Sequence, residues 1–141
     1  MTTQLETDTN GLTHGRGSVF SLKYHIVWCT KYRKPVLIDN IADDCKLFLS
    51  RVADEYGFII DAIEVMPEHV HLLVTCTPYL SLSNLLRVSK GNTARWLFIK
   101  HPELKNALYG GHLWNPSYCV VTVSERSEAQ VKHYIETQDM E

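Results

Sequence analysis

Hydrophobic and polar positions change their spacing along the chain, and each spacing predicts an element. Residues 19–32 are dense in β-branched and aromatic side chains, which is typical of a strand. Between residues 39 and 56 the hydrophobic positions recur every three or four residues, as they do on one face of a helix. Asp39 or Asn40 is the expected N-cap of this helix, and Gly57 is the residue expected to end it.

The middle of the chain predicts a hairpin followed by a second helix. Residues 58–65 and 69–76 have the composition of two strands, and three residues separate them. A link this short requires the two strands to pair antiparallel. Residues 81–99 predict a helix with Ser81 or Ser83 as its N-cap.

The last third of the chain adds a loop, a strand and a final helix. Residues 101–116 contain two adjacent glycines and an Asn-Pro step, which are typical of a loop. Residues 117–124 predict a fourth strand. The final helix is expected to begin near Ser127, because Ser127 and Gln130 have the spacing of a capping box.

The order of these elements is strand, helix, strand, strand, helix, strand, helix, and it predicts an α+β fold. The first six elements match the split β-α-β arrangement of ferredoxin-like folds, with a four-stranded antiparallel sheet. An additional C-terminal helix follows the sheet. We expect helices on one sheet face and an exposed second face. Residues 1–16, rich in Thr, Gly and Asn, predict a flexible arm, which leaves residues 17–141 as a single domain.

Charge limits how the chain can bind nucleic acid. Its 141 residues carry a net charge of -2, which argues against binding through bulk positive charge. Basic residues are nevertheless clustered locally, and the candidates for contact with phosphates are Lys31, Arg33, Arg87, Lys90 and Arg95. The sequence contains no glycine-rich P-loop, so we expect no nucleotide cofactor.

Hydropathy and cysteine spacing predict a cytoplasmic protein without a membrane anchor. No apolar run approaches the roughly 18 residues of a membrane span, and the polar, acidic N-terminus is unlike a secretory signal. The cysteines are widely spaced and form neither a C-x-x-C pair nor a disulfide framework. We therefore expect reduced thiols at Cys29, Cys45, Cys76 and Cys119.

Two histidines on the third predicted strand are the first candidates for chemistry. Side chains alternate along a strand, so His69 and His71 lie side by side on the face opposite Val70 and Leu72. This spacing suits two ligands of one metal ion, and it equally suits two ordinary surface histidines. The adjacent Glu68 could assist the histidines, but it is expected to face solvent.

The final helix supplies a candidate nucleophile. Tyr134 and Gln138 are four residues apart and therefore lie one turn apart on the same helix face. Presented to two histidines, this pair would combine a nucleophile with a metal site; alternatively, Tyr134 is an amphipathic residue with its hydroxyl at the rim of the domain. Trp114 either stacks on a base or packs within the protein.

Four stretches of the chain together resemble one family. They are YHIVWCTKYR at 24–33, VMPEHVHLL at 65–73, LWNPSY at 113–118 and HYIETQ at 133–138. In this combination and order they are similar to the small single-tyrosine transposases of the HUH superfamily, the IS200-like family of bacterial and archaeal insertion sequences that move as single-stranded DNA. HUH denotes two histidines that flank a hydrophobic residue, as His69 and His71 flank Val70. The resemblance covers residues 16–138.

The resemblance implies an activity and a set of site residues. His69, His71 and Gln138 would be the protein ligands of Mg²⁺ or Mn²⁺, with DNA phosphate and water completing the shell. Tyr134 would attack the scissile phosphate, become linked to the 5′ phosphate and release a 3′ hydroxyl without ATP. The substrate would be single-stranded DNA with imperfect hairpin ends. The working unit would be a homodimer whose active sites are shared between subunits, although the sequence is equally compatible with a final helix that reaches the histidines of its own subunit.

Other functions remain compatible with the same residues. A domesticated relative would process repeated palindromes in a host genome, and genomic neighbourhood would distinguish it from a mobile-element transposase. A metal-dependent phosphoesterase acting on a small substrate would not need Tyr134. A ferredoxin-like binding module with an incidental histidine pair would form no covalent adduct with DNA.

Overall fold

The chain folds into two antiparallel sheets and a set of helices. A computed structural model describes residues 6–7, 12–15, 18–20, 22–123 and 127–137. Its strands are β1 (Glu6–Thr7), β2 (Thr13–Gly15), β3 (Ser18–Phe20), β4 (Lys23–Cys29), β5 (Ile59–Met66), β6 (His69–Thr75) and β7 (Cys119–Thr122). Its helices are α1 (Asp39–Tyr56), α2 (Leu82–Lys100), α3 (Leu104–Ala107) and α4 (Ser127–Thr137), with 3₁₀ turns at Lys31–Arg33 and Tyr109–Gly111.

The larger sheet has four strands in the order β5-β6-β4-β7, and each neighbouring pair is antiparallel. The strands that a helix connects are therefore not direct neighbours: β6 lies between β4 and β5, and β4 lies between β6 and β7, as the split β-α-β arrangement requires. The predicted ferredoxin-like α+β fold with a four-stranded antiparallel sheet is confirmed. So is the tight antiparallel pairing of β5 with β6.

The core lies between this sheet and the first two long helices. Alternate residues of β4 and β6 are fully buried on one face, and α1 and α2 contribute further apolar side chains to the same cluster: Ile26, Trp28, Val70, Leu72, Val74, Phe48, Leu49, Val52, Leu85 and Leu97. Gly57 ends α1 at a φ of 78°, in the left-handed region that glycine adopts without strain. Ser81 caps α2, since its Oγ accepts a hydrogen bond from the Asn84 N–H at 3.2 Å.

The strand predicted over residues 19–32 is wrong in its extent. β3 pairs with β2 in the small sheet, whereas β4 pairs with β6 and β7 in the large one. Tyr32 and Arg33 have φ values of 59° and 53°, and this left-handed backbone cannot continue an extended strand. The segment therefore divides into two strands and a turn.

Three further boundaries differ from the prediction. The N-cap of α1 is Ile38, which makes no side-chain cap, while Asp39 lies inside the helix with a φ of 51°. The predicted loop after α2 contains α3, and the fourth strand of the large sheet begins only at Cys119. Within residues 1–16 the structure describes two short paired strands, β1 and β2. The predicted boundary between an arm and a domain stays a prediction.

The second face of the large sheet is not left exposed as expected. The final helix, α4, packs against β4 and β7 on this face. Val27 and Cys29 point to the same face and are fully buried. The second face is therefore where a polar site meets a covering helix.

In the described part of the chain no helix is both long and apolar enough to cross a membrane.

Candidate active site

The two predicted histidines share the sheet face that α1 and α2 leave open. In the register of β4 and β6, His69 lies opposite Cys29 and His71 lies opposite Val27. Because side chains alternate along β6, the apolar Val70 points to the core on the other side. His69 is buried, with 8% of its surface exposed, and His71 is half-buried.

A carboxylate holds the first histidine. The Nδ1 of His69 lies 3.0 Å from Oε1 of Glu68, and the Arg33 guanidinium lies 3.7 Å from the same oxygen. Glu68 is half-buried, so the expectation that it faces solvent is wrong. If Nδ1 of His69 carries the proton, its Nε2 presents a lone pair. Histidines that bind metals are commonly oriented by a carboxylate in this way.

A third histidine, absent from the sequence-based site, contacts the second. The Nδ1 of His25 on β4 lies 3.1 Å from Nε2 of His71, and the two ring centroids are 5.3 Å apart. His25 lies inside the first family-like stretch, and its position on β4 two residues before Val27 gives it the same sheet face as His71. Its relation to His71 depends on a strand pairing that the sequence does not specify in register.

The histidine pair is chemically suited to a metal ion that takes its other ligands from elsewhere. Two imidazoles by themselves favour zinc, copper or nickel, so Mg²⁺ or Mn²⁺ at this site would need oxygen ligands beside the two histidines. The predicted third ligand, Gln138, lies outside the described residues. Among the residues that are described, no group of three or more His, Cys, Asp or Glu side chains is placed to hold a metal. DNA phosphate and water would have to supply oxygen ligands.

The predicted nucleophile lies on the helix that covers this face. Tyr134 is in α4, half-buried, with its hydroxyl 3.3 Å from Oγ of Ser117. Burial raises the pKa of Tyr134 above its ordinary value; the hydrogen bond with Ser117 lowers it, and the nearby thiols of Cys29 and Cys119 raise it again. At neutral pH the phenol is therefore protonated and needs assistance to become a nucleophile.

The segment that carries Ser117 is held by a lysine. The Nζ of Lys90 donates to the backbone oxygens of Asn115, at 2.9 Å, and Ser117, at 3.3 Å. Asn115 is buried, and its Oδ1 accepts from both the N–H and the hydroxyl of Ser117, at 2.9 and 2.8 Å. Burial lowers the pKa of the Lys90 ammonium. Sequence patterns gave no signal for this connection, which joins α2 to the segment before β7.

The predicted DNA-contact residues fall in different places. A cleft of about 580 Å³ lies between α2 and the segment before β7; its lining includes Lys31, Lys90 and Arg95. Arg87, on the exposed side of α2, lies with its Nε 3.4 Å from Oδ1 of Asn84. Arg33 approaches Glu68 beside the histidines instead. The structure therefore brings three of the five candidates to one cleft.

Trp114 packs within the protein. Its ring meets Trp28 edge-on with centroids 5.7 Å apart, and its Nε1 donates to the backbone oxygen of Lys90 at 3.0 Å. Only 7% of its surface is exposed. Of the two roles considered for it, the structure supports packing.

The four cysteines are free thiols, as predicted, and burial raises the pKa of Cys45 to about 12.

A ferredoxin-like sheet that carries a histidine pair and a covering tyrosine helix is the arrangement that the resemblance to single-tyrosine transposases implies. The chain belongs to the IS200-like transposase family, because the family model described as "Transposase IS200 like" matches residues 18–138. The family and the fold that the sequence resemblance implied are thereby confirmed.

Individual relatives agree with this assignment. The chain is 48% identical to the ISDra2 transposase TnpA of Deinococcus radiodurans over 124 residues, which cover 88% of this chain and 89% of the relative. It is 27% identical to the transposase for insertion sequence element IS200 of Salmonella typhimurium over 131 residues, covering 93% of this chain and 84% of that one. The chain is therefore similar to curated transposases along most of its length.

Two solved structures resemble the fold. One is the crystal structure of a Deinococcus radiodurans R1 protein described as a transposase, with a TM-score of 0.83 and 48% identity, covering 89% of this chain and 97% of that one. The other is a REP-associated tyrosine transposase bound to a REP hairpin, with a TM-score of 0.55 and 15% identity, covering 82% and 67%. At 15% identity the second likeness shows the fold alone.

Proposed function

We propose that this transposase cleaves and rejoins single-stranded DNA through a covalent 5′-phosphotyrosine intermediate on Tyr134, with Mg²⁺ or Mn²⁺ and without ATP. The observation that carries the proposal is the shared sheet face of nucleophile and histidines. The helix that carries Tyr134, α4, packs against β4 and β7, and Cys29 of β4 is the register partner of His69. The test is whether single-stranded DNA becomes covalently attached to Tyr134.

Each site residue has a separate role in the proposed reaction. His69 and His71, together with Gln138, would hold the divalent ion, which when bound neutralises charge on the scissile phosphate and orients it for in-line attack. Glu68 keeps the His69 ring in position through the 3.0 Å contact. α4 places the Tyr134 hydroxyl at the same face.

The cleavage step is balanced without a high-energy cofactor. The Tyr134 hydroxyl loses its proton to water, and the phenolate oxygen forms a bond to phosphorus. The bond from phosphorus to the 3′ oxygen breaks, and that oxygen takes a proton from water. Because one phosphodiester replaces another, the tyrosyl linkage retains the energy needed for rejoining to a second 3′ hydroxyl.

DNA contact is proposed for the basic cleft beside α2. Lys31, Lys90 and Arg95 line it, and the Lys90 ammonium also donates to the backbone oxygens of Asn115 and Ser117. Cationic side chains in such a groove contact phosphates and position the strand, while they carry little sequence information. Arg87, exposed on the same helix, extends the basic surface. We propose that phosphates are contacted by Lys31, Arg87, Lys90 and Arg95. Arg33 is not included, because its guanidinium pairs with Glu68.

The substrate is expected to be a single strand that carries an imperfect hairpin, as the resemblance in sequence implies; the REP-associated tyrosine transposase of similar fold is itself bound to a REP hairpin. The chain should bind a strand that carries an imperfect hairpin more tightly than a random duplex of equal length. A net charge of -2 leaves little electrostatic attraction for indiscriminate duplex binding. Fluorescence anisotropy with both DNAs in the same salt measures the difference. Equal affinity for the two would contradict the proposal.

We further propose that the working unit is a homodimer with shared active sites. Two cleaved ends must be held together for strand exchange, and two sites in one particle provide this. The exchange of α4 between subunits would preserve the contacts that it makes with β4 and β7, since swapped elements form the same interface with a partner. The polar residues 124–127 join β7 to α4 and would be the hinge of this exchange; they lie mostly outside the described residues.

Complementation tests the shared site. Tyr134→Phe protein and the His69→Ala, His71→Ala double variant are each expected to be inactive. Mixed under conditions that allow subunit exchange, they should regain cleavage, because one site of each heterodimer then has both histidines and a partner's tyrosine. Heterodimers that form and remain inactive would show that each subunit uses its own tyrosine.

The runner-up function is that of a domesticated relative that processes repeated palindromes. The residues of the site would perform the same cleavage in either case. Subterminal hairpins that bound the gene on both sides favour the mobile-element transposase, whereas dispersed palindromes without such boundaries favour the domesticated relative.

A further inference from the structure

We propose that Ser117, held by Asn115, is a further catalytic residue that orients the Tyr134 phenol and then donates to the phenolate as it forms. The inference rests on the proposed function, because it assigns Ser117 a part in the reaction of that tyrosine. Its basis is the hydrogen-bonded series from Asn115 through Ser117 to Tyr134, with contacts of 2.8 and 3.3 Å.

The direction of each hydrogen bond follows from the donors present. The backbone N–H of Ser117 can only donate, and it lies 2.9 Å from Asn115, so the side-chain atom that faces it is the oxygen and not the nitrogen. That oxygen can only accept, and the Ser117 hydroxyl lies 2.8 Å from it. The single hydrogen of Ser117 is therefore directed to Asn115, and the Ser117 oxygen is left to accept from the phenol of Tyr134 at 3.3 Å.

The direction of the hydrogen bond between Tyr134 and Ser117 reverses when the tyrosine ionises. Once Tyr134 has lost its proton to water, the phenolate oxygen is an acceptor only, and the Ser117 hydroxyl hydrogen can rotate from Asn115 to meet it. A hydrogen bond to an anion is about twice as strong as one between neutral groups. Ser117 would thus hold the phenol in the resting enzyme and stabilise the nucleophilic form as it appears, with no covalent bond to Ser117 itself.

The surrounding contacts keep the hydroxyl in place. Asn115 is buried, and Lys90 donates to the backbone oxygens on either side of Pro116, so the segment has little freedom to move away from α4. The N–H of Ser117 already closes a turn onto Asn115. Replacing Ser117 by alanine removes the hydroxyl alone and keeps this backbone bond, and Ser117 is exposed, so the variant should fold.

The first measurement needs no DNA. Protein labelled with 3-fluorotyrosine is titrated by fluorine NMR, and the Tyr134 signal is identified by its loss in Tyr134→Phe. Ser117→Ala should move the Tyr134 titration to higher pH, because the phenolate loses a donor; Ser117→Thr, which retains a hydroxyl, should restore it. Ser50→Ala, an exposed serine on α1 across the sheet, is the matched control and should change nothing. A Tyr134 titration unchanged by Ser117→Ala overturns the proposal.

The second measurement uses single strands from the DNA that flanks the gene. Ser117→Ala should slow adduct formation about 10- to 100-fold at neutral pH, the range for losing a hydrogen bond to a charged group, with hairpin affinity unchanged. The slowing should diminish as pH rises, and Ser117→Thr should recover most of the rate. An Ala variant that reacts at the wild-type rate at every pH overturns the catalytic role. If the wild-type protein forms no adduct while Ser117→Ala still moves the titration, the contact stands and the proposed function fails.

Discussion

Tyr134→Phe should reduce DNA cleavage by at least about 1,000-fold and abolish the covalent protein–DNA adduct, since removing an enzyme's nucleophile typically costs this much or more. The ring remains, so the half-buried side chain keeps its packing between α4 and the sheet. Binding of a hairpin strand should therefore change little. Denaturing gels with labelled single-stranded DNA measure the adduct, and anisotropy measures the binding.

A neighbouring tyrosine provides the control. Tyr118 is exposed and lies one residue after Ser117, close to the same segment, with the Lys90 ammonium 5.8 Å from its ring centroid. Tyr118→Phe should leave adduct formation intact. If Tyr134→Phe still formed adduct at the wild-type rate, Tyr134 could not be the nucleophile, and a loss seen only with Tyr118→Phe would transfer the role to Tyr118.

His69→Ala and His71→Ala should each abolish metal-dependent cleavage and weaken Mn²⁺ binding by more than about 100-fold, because even outer partners of metal ligands contribute 10- to 100-fold. Each variant removes one of the two imidazoles on the shared face. Isothermal titration calorimetry with Mn²⁺ measures the affinity in the absence of DNA. Gln138→Ala should be milder, since a neutral amide oxygen is a weak ligand that water can replace.

Two further variants serve as comparisons for the loss of Mn²⁺ affinity. Glu68→Gln keeps the shape of the side chain that contacts His69 and should lower Mn²⁺ affinity by about 10- to 100-fold, the usual range for an outer carboxylate. His112→Ala removes an exposed histidine that lines the basic cleft and should leave Mn²⁺ affinity unchanged. Unchanged affinity in both His69→Ala and His71→Ala would refute the metal site.

Structural features that repeat every two to four residues could be predicted from the sequence. The three-four spacing of α1 and its terminal Gly57 gave the C-terminal end of the helix correctly, because a glycine can adopt the left-handed backbone that closes it. Alternation along β6 placed His69 and His71 on one face because the period of a strand is two. The order of elements then gave the sheet topology, and the motif combination gave the family.

Contacts between residues that are far apart in the sequence could not be predicted in this way. His25 and His71 are 46 residues apart, and their contact depends on the register of β4 with β6. The sequence predicted Lys90 only as a candidate phosphate contact, because a sequence reveals charge and not partners; in the fold its ammonium donates to two backbone oxygens. The left-handed turn at Tyr32 and Arg33 was invisible because neither residue is glycine or asparagine.

The most direct test of the central claim is to locate the covalent bond. The protein is incubated with Mn²⁺ and overlapping single strands from the DNA flanking its gene, labelled at their 3′ ends, and the products are separated under denaturing conditions. We expect labelled DNA to migrate with the protein, and peptide mapping by mass spectrometry to place a 5′-phosphonucleotide on Tyr134. Strands that are cleaved with no labelled protein, or a labelled peptide that lacks Tyr134, would contradict the account.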